Sequence, residues 1–292
     1  MELCYLVPPE AEGQRLGLFL RSCGLTAGLI KSVKHAGEGF FADGAAIHTD
    51  QPVRAGQRVT FALPPDPPTS VTPQRVPLTI AYEDDFVAVL DKPAGLAVHP
   101  TLNYPDHTLA NGWICHLQEQ GRTGVFRPAA EKAFCAQNAF SAAGLAAHVR
   151  KCYLAIAEGT MPRGPGCVEA PVGRRGDSII GRCVTPQGKY SRTEYEVLAA
   201  GSRFSLLACT PCTGRTHQIR VHMAYIGHPL AGDTLYGGSA EKIGRHALHC
   251  AVIRFLHPYT GVTHRIASDL PRDMRALAEQ DGLLEGWQSE QL

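Results

Sequence analysis

The sequence lacks the features that would place it in a broad functional class at once. No apolar run reaches the roughly 18 residues that a membrane span needs, and the N-terminus has neither the basic start nor the apolar core of a signal peptide. The net charge of the 292-residue chain is only +1, so no overall positive field indicates a nucleic-acid partner. We therefore expect a cytoplasmic protein with no membrane association.

The ten cysteines do not follow the spacing of a metal site or a disulfide framework. Cys209 and Cys212 form the only CxxC, and neither a second CxxC nor a nearby HxxxH completes four tetrahedral ligands. Small apolar thiols within strands and helices explain these residues better. We expect reduced cysteines and no structural metal.

Positive charge is concentrated in the second half of the chain. Residues 1–63 carry six Lys and Arg against six Asp and Glu, whereas residues 150–192 and 201–272 each carry eight against three. Arg174 and Arg175 lie on a predicted short hairpin that also contains Arg182, Lys189 and Arg192. This local density makes Arg174 and Arg175 candidates for contacts with phosphate.

Residues 1–63 have the pattern of a small independent domain. Apolar residues at helical spacing between Leu16 and Val33 are interrupted at Cys23-Gly24, which predicts two short helices, and three short alternating segments then predict strands. Lys31 and Lys34 on the second helix are candidate phosphate contacts, although a solvated face explains two lysines equally well. Five prolines between residues 64 and 73 predict a semi-rigid linker over 64–76.

Residues 77–292 alternate predicted hairpins with isolated helices. The strands are predicted at 78–82, 86–90, 153–157, 194–198 and 204–209, and the helices at 108–118, 138–150 and 218–225. Regular βαβ alternation is missing. The pattern therefore favours an α+β fold with a mixed, mostly antiparallel sheet and flanking helices, and the N-terminal domain adds a small α/β unit.

The densest chemistry lies in two neighbouring segments, Gly214-Arg215-Thr216-His217-Gln218-Ile219-Arg220-Val221-His222-Met223 and Gly227-His228-Pro229-Leu230-Ala231-Gly232-Asp233. Together with Asp91–Pro100, Lys151–Gly159 and Ala247–Cys250, they resemble the RluA-type pseudouridine synthases, in which the corresponding segments follow the same order along the chain. Residues 1–63 resemble the small RNA-binding domain shared by these enzymes and some ribosomal proteins. The resemblance implies a monomer that isomerises uridine in structured rRNA or tRNA without a cofactor.

The resemblance also implies roles for individual residues. Such chemistry removes the target base from its helix and uses a carboxylate at the sugar, kept ionised by a neighbouring cation. Tyr153 corresponds to the stacking and proton-handling residue, and Arg220 to the cation. The residues expected to orient the loop and to contact RNA are Arg215, His217, Gln218 and His222.

The carboxylate itself is missing from its expected place. In the family it is the Asp of an HRLDxxTSG-like segment that follows an Arg-Pro pair, whereas here no Asp occurs between Asp106 and Asp177 and the interval is several residues short. Glu131 is the only acid nearby, and its extra methylene displaces the carboxylate by about one ångström, enough to slow a reaction about a hundredfold. Arg220 then needs a wetter pocket or another acid, for which Asp91 and Asp233 are candidates.

Three functions remain open from the sequence. The chain is an active synthase that uses a displaced acid, or a catalytically silent family member that binds RNA, or a metal-dependent hydrolase built on His217, His222, His228 and His249. The hydrolase is disfavoured, because residues five apart on a helix lie about 140° from a shared face. We predict RNA binding with absent or strongly reduced turnover.

Overall fold

The computed structural model describes residues 2–64, 69–122, 127–130, 134–136, 149–257 and 259–285. Contacts between residues divide the chain into two units, residues 1–149 with 255–264 and residues 150–254 with 265–292. The domain boundaries at residues 63 and 77 stay a prediction. Most of the helix predicted at 138–150 lies outside the described residues, but Val149 and Arg150 begin a strand, so the predicted helix extends too far.

The N-terminal part of the first unit packs two helices against a small sheet. Helices α1 (Leu16–Ser22) and α2 (Ala27–Ala36) are separated by Gly24, whose φ of +89° favours glycine, and this confirms the predicted interruption. The sheet has the order β1-β4-β2-β3. Its strands are β1 (Glu2–Leu6), β2 (Phe40–Ala42), β3 (Ala45–Ile47) and β4 (Arg58–Ala62). The sequence did not predict β1.

The rest of the first unit contains a second small sheet and one helix. The sheet has the order β5-β6-β8-β7, with β5 (Ile80–Glu83), β6 (Val87–Leu90), β7 (Arg127–Ala130) and β8 (Phe134–Ala136). Helix α3 (Leu109–Glu119) begins with a capping box in which the Thr108 side chain accepts from the Asn111 amide and the Asn111 side chain accepts from the Thr108 amide. This cap explains why the helix predicted at 108–118 starts where it does.

The second unit is built on a six-stranded sheet of order β10-β13-β14-β9-β15-β16. Its strands are β9 (Val149–Glu158), β10 (Gly164–Glu169), β13 (Arg192–Ala200), β14 (Phe204–Pro211), β15 (Leu248–Leu256) and β16 (Thr263–Ala267). A separate hairpin pairs β11 (Val172–Arg174) with β12 (Arg182–Val184). The pairings of β13 with β10 and β14, and of β14 with β9, are antiparallel, which confirms the predicted α+β class.

Side chains of β9 alternate between two apolar clusters, as the period of a strand requires. Leu154 and Ile156 pack in one cluster with Met274 of helix α5 (Arg272–Gln280). Tyr153 lies in the other cluster, with Ile219 of helix α4 (Gln218–Tyr225). The helix with the chemical motif therefore packs on the Tyr153 side of the strand. Within the described residues, no helix is long and apolar enough to cross a membrane.

Candidate functional site

Arg220 and Asp233 form a bidentate ion pair at the centre of the site. Arg220 Nε donates to Asp233 Oδ2 at 2.7 Å, and Nη2 donates to Oδ1 at 2.6 Å. The Asp233 side chain is fully buried, and 12% of the Arg220 side chain is exposed. The planar guanidinium fits a carboxylate in this geometry better than any other cation in proteins does. Asp233 is thus the partner of Arg220, one of the two candidates that the sequence offered.

A tight loop holds the Asp233 carboxylate in place. The Asp233 carbonyl oxygen accepts hydrogen bonds from the backbone amides of Tyr236 at 3.0 Å and Gly238 at 2.9 Å. Gly232 has a φ of +73°, and a Cβ there would overlap neighbouring carbonyl oxygens. A Cβ on Gly238 would overlap the carbonyl oxygen of Leu230. The glycines of this segment are therefore required by the close approach of the backbone, and that approach fixes the position of the Asp233 backbone.

Tyr236 connects the ion pair to the β11–β12 hairpin. Its hydroxyl accepts from the Arg182 amide at 3.0 Å and lies 2.7 Å from His217 Nδ1. The Arg220 guanidinium lies 4.8 Å from the centre of the Tyr236 ring, within the range of a cation–π contact. One phenol thus joins the hairpin, His217 and Arg220.

His217 stands immediately before α4 in a left-handed conformation. Its φ is 58° and its ψ 18°, which is uncommon for a residue other than glycine. Burial, then the neighbouring guanidiniums of Arg220 and Arg182, lower the pKa of His217 to about 4. The imidazole is therefore neutral near pH 7. The sequence indicated His217 as a site residue but gave no sign of this backbone conformation.

Gln218 and His222 are buried, and they hold the loop and the helix to β13. Gln218 Oε1 accepts from the Thr213 hydroxyl at 2.7 Å, and Nε2 donates to Thr193 Oγ1 at 3.0 Å. His222 Nε2 donates to the Ala170 carbonyl at 3.0 Å, so its Nδ1 accepts from Thr193 Oγ1 at 2.9 Å. Burial lowers the pKa of His222. Their hydrogen bonds stay within the protein and orient the loop, and a contact of these two side chains with RNA stays a prediction.

The remaining predicted site residues of the second unit differ in exposure. Arg215 is exposed and donates from Nε to the Tyr190 carbonyl at 3.1 Å. Arg174 is exposed opposite Arg182 on the hairpin, and Arg175 donates to Asp177 at 2.7 Å. Tyr153 is buried in the apolar cluster below α4, with 6% of the residue exposed. Its catalytic role stays a prediction.

Two further predictions concern Lys31 and Lys34, and Glu131. Lys31 and Lys34 are exposed on α2 of the first unit. Glu131 lies outside the described residues. The structure therefore assigns no partner or position to the one acid that stands near the missing Asp.

The described residues offer no set of metal ligands for a metal-dependent hydrolase. Both ring nitrogens of His222 are engaged in hydrogen bonds to the protein, and His228 Nδ1 lies 2.8 Å from the Glu158 carbonyl oxygen. Among the residues that the structure describes, no group of three His, Cys, Asp or Glu side chains is arranged to hold a metal ion.

Comparisons with known proteins agree with the fold and identify a family. The family described as RNA pseudouridylate synthase matches residues 132–225. The chain is 35% identical to the uncharacterized RNA pseudouridine synthase YjbO of Bacillus subtilis (strain 168), over 87% of this chain and 94% of that protein. It is 34% identical to the ribosomal large subunit pseudouridine synthase D of Xanthomonas campestris pv. campestris, over 80% of this chain and 78% of that protein.

A solved structure supports the fold. Human RNA pseudouridylate synthase domain containing 1 superposes with a TM-score of 0.55 at 24% identity, over 70% of this chain and 86% of that one. The antiparallel α+β architecture is therefore the fold of the pseudouridine synthase class. With relatives of this identity and coverage, the chain belongs to the RluA-type RNA pseudouridine synthase family.

Proposed function

We propose that this chain is an RNA-binding member of the family that isomerises uridine at a strongly reduced rate or not at all. The observation that carries the proposal is the state of Asp233. Its carboxylate is fully buried, and both oxygens accept from Arg220. A nucleophile has to come within about 3–3.5 Å of the atom it attacks. A carboxylate that is fully buried and paired with a guanidinium does not reach a sugar. Asp233 therefore balances the charge of Arg220 but does not replace the family's Asp.

The sequence supports the same conclusion. No Asp occurs between Asp106 and Asp177, where the family has its catalytic segment. Arg220, which in the family partners that Asp, already pairs with Asp233 through Nε and Nη2. The cation therefore needs no further acid for its own stability, and the site can persist without the catalytic carboxylate.

An active synthase that uses Glu131 is the second candidate. It is favoured by the 35% identity that the chain shares with a protein named as a synthase, over 94% of that protein. A working Glu131 would have to approach the sugar next to Arg220. The two candidates differ in one measurable property, which is turnover by RNA-bound protein.

The RNA we propose is ribosomal, with tRNA as the alternative. Relatives at 34% identity are named as ribosomal large subunit synthases. The basic residues that would contact phosphates are Arg174, Arg175, Arg182 and Arg215 in the second unit, with Lys31 and Lys34 in the first. Phosphate contacts of this kind position an RNA without reading its sequence.

Salt titration of RNA binding tests the proposed surface. Binding to a fragment of large-subunit rRNA should weaken with salt, and each phosphate contact contributes about 0.7–0.9 to the slope. Replacing both Arg174 and Arg175 with Ala should lower the slope by about 1.5. Arg275→Ala is the matched control, because Arg275 is exposed on α5, whose apolar face packs on the other side of β9. Affinity that does not depend on salt would refute phosphate contact.

Tritium release from [5-³H]uridine rRNA separates the two candidates. The silent protein releases no tritium above the protein-free background under conditions in which it is bound to the RNA. An active synthase releases tritium, and Glu131→Gln abolishes that release if Glu131 is the working acid.

A further inference from the structure

The β11–β12 hairpin exposes two adjacent isoleucines at its tip. Ile179 is 93% exposed and Ile180 63% exposed. Single apolar residues on a protein surface are ordinary, but two large aliphatic side chains at the end of a projecting hairpin form a local apolar surface. Packing within the described residues does not account for them, so an external partner is the physical explanation to test.

The tip has a defined shape. The Arg175 amide donates to the Gly181 carbonyl at 3.1 Å, and the Gly181 amide donates to Ser178 Oγ at 2.9 Å. Arg182 Nη1 donates back to the Ile180 and Gly181 carbonyls at 3.1 and 2.9 Å. These bonds hold the turn that presents the isoleucines, so a partner meets an apolar surface that is already ordered, which reduces the entropy lost on binding.

The base of the hairpin is joined to the candidate site. The Arg182 amide donates to the Tyr236 hydroxyl, which also bonds His217, and the Tyr236 ring lies against the Arg220 guanidinium. Where β11 begins, Val172 and Lys189 exchange two backbone hydrogen bonds of 3.0 Å. The hairpin and Arg220 therefore belong to one hydrogen-bonded assembly, and a ligand at Arg220 would lie at the base of the structure that carries Ile179 and Ile180.

The charge around the tip indicates what kind of partner fits. Residues 172–189 contain four basic residues, Arg174, Arg175, Arg182 and Lys189, against the single acid Asp177. Asp177 pairs with Arg175 at 2.7 Å, which leaves the basic excess on the other three. An apolar tip bordered by cations complements a partner with an anionic exterior and an apolar interior. A nucleic acid has this arrangement, because its phosphates lie on the outside and its stacked bases lie within.

We propose that Ile179 and Ile180 form an apolar wedge that enters the base stack of RNA bound at Arg220, while Arg174 and Arg182 contact the flanking phosphates. The proposal rests on the RNA binding proposed above and names the residues that enter the RNA. A wedge offsets part of the unstacking cost when a base leaves the helix. Because it needs no chemistry at the sugar, it would open RNA locally even in a protein without turnover.

A fluorescent reporter tests the wedge directly. Ile179→Trp places an indole at the tip, and stacking on bases should quench its emission when a stem-loop fragment of large-subunit rRNA is added. Spectra of the unsubstituted protein are subtracted to remove its own tryptophans. Val262→Trp is the matched control, since Val262 is 55% exposed on a different turn, and its emission should not change.

A second variant measures the affinity that the tip contributes. Replacing Ile179 and Ile180 with Ser should weaken RNA binding about tenfold, because the apolar contact is lost. The slope of affinity against salt should stay unchanged, because no phosphate contact is removed. The charge variant of Arg174 and Arg175 should show the opposite pattern and lower the slope.

The outcomes distinguish this proposal from the one on which it rests. Salt-dependent RNA binding without quenching, and with full affinity in the double Ser variant, overturns the wedge and leaves RNA binding intact. No RNA binding by the unsubstituted protein overturns both proposals. Insertion of the reporter into phosphatidylserine vesicles, with no response to RNA, would identify the tip as a membrane contact and also overturn the wedge.

Discussion

Asp233→Asn probes the buried ion pair with almost no change of shape. The substitution removes the negative charge and leaves the Arg220 guanidinium, 12% exposed, without a counter-charge. Removing one partner of a buried pair costs about 3–5 kcal/mol. That is a large part of the roughly 5–15 kcal/mol that separates folded from unfolded proteins. We therefore expect a severe loss of stability in the second unit.

The chain offers a matched control in Arg245 and Asp273. This pair has the same bidentate geometry, with both nitrogen–oxygen distances at 2.7 Å, but its side chains are 23% and 44% exposed. Exposed pairs contribute about 0–1 kcal/mol. Asp273→Asn should therefore cost several-fold less than Asp233→Asn. The two substitutions have the same chemistry and differ mainly in burial, although Asp273 also accepts from the Met274 amide at 2.9 Å.

Urea unfolding followed by circular dichroism measures both variants. Because the chain has two units and unfolding can proceed in steps, hydrogen exchange of peptides spanning residues 218–239 should localise the loss. Equal losses in the two variants, or a loss below about 1 kcal/mol for Asp233→Asn, would show that the pair at Arg220 is solvated and would refute the reasoning from burial.

Two further predictions concern the neighbouring residues. His217 has a folded pKa of about 4, below its ordinary 6.5, so the unfolded chain binds more protons between these values and the contribution of His217 to stability is lost as the pH falls from 6.5 through 4. His217→Gln should flatten that part of the stability curve, and a midpoint near 6.5 for His217 in an NMR titration would contradict the prediction. Gly238→Ala should cost about 1–3 kcal/mol in urea unfolding, because its Cβ would overlap the Leu230 carbonyl, whereas Gly244→Ala meets nothing within 4 Å and should change stability by less than about 0.5 kcal/mol. Similar losses in both glycine variants would refute the steric argument.

Local sequence patterns predicted part of the secondary structure, but not β10, β15 and β16 of the six-stranded sheet. The helix at Gln218–Tyr225 was predicted with the observed bounds, and the strands around residues 80–90 and 194–211 differ only at their ends. Strand β1 was missed because its five residues form a strand by pairing with β4, more than 50 positions along the chain. The sequence also indicated the α4 motif as a site, since few surface segments combine so many polar and charged groups, and this stays a prediction.

The connections within the site were not predictable from spacing alone. Tyr236 contacts Arg182, 54 positions earlier, and no local pattern indicates that pair. The sequence left Arg220 with two candidate acids, and only the folded loop between Gly232 and Gly238 determines that Asp233 is the partner. Similarly, Gln218 and His222 have the character of binding residues in the sequence, whereas the fold directs their hydrogen bonds to β13 and its neighbours.

The most direct test of RNA binding without turnover is a single-turnover experiment. Tritium release from [5-³H]uridine rRNA is followed with the protein in excess, and the fraction of bound RNA is measured in the same samples. We predict saturable, salt-dependent binding, with tritium release from the bound RNA that is absent or very slow. Release of one equivalent of tritium per target uridine in the bound RNA, at a rate that Glu131→Gln abolishes, would contradict the proposal and show that Glu131 performs the family's chemistry.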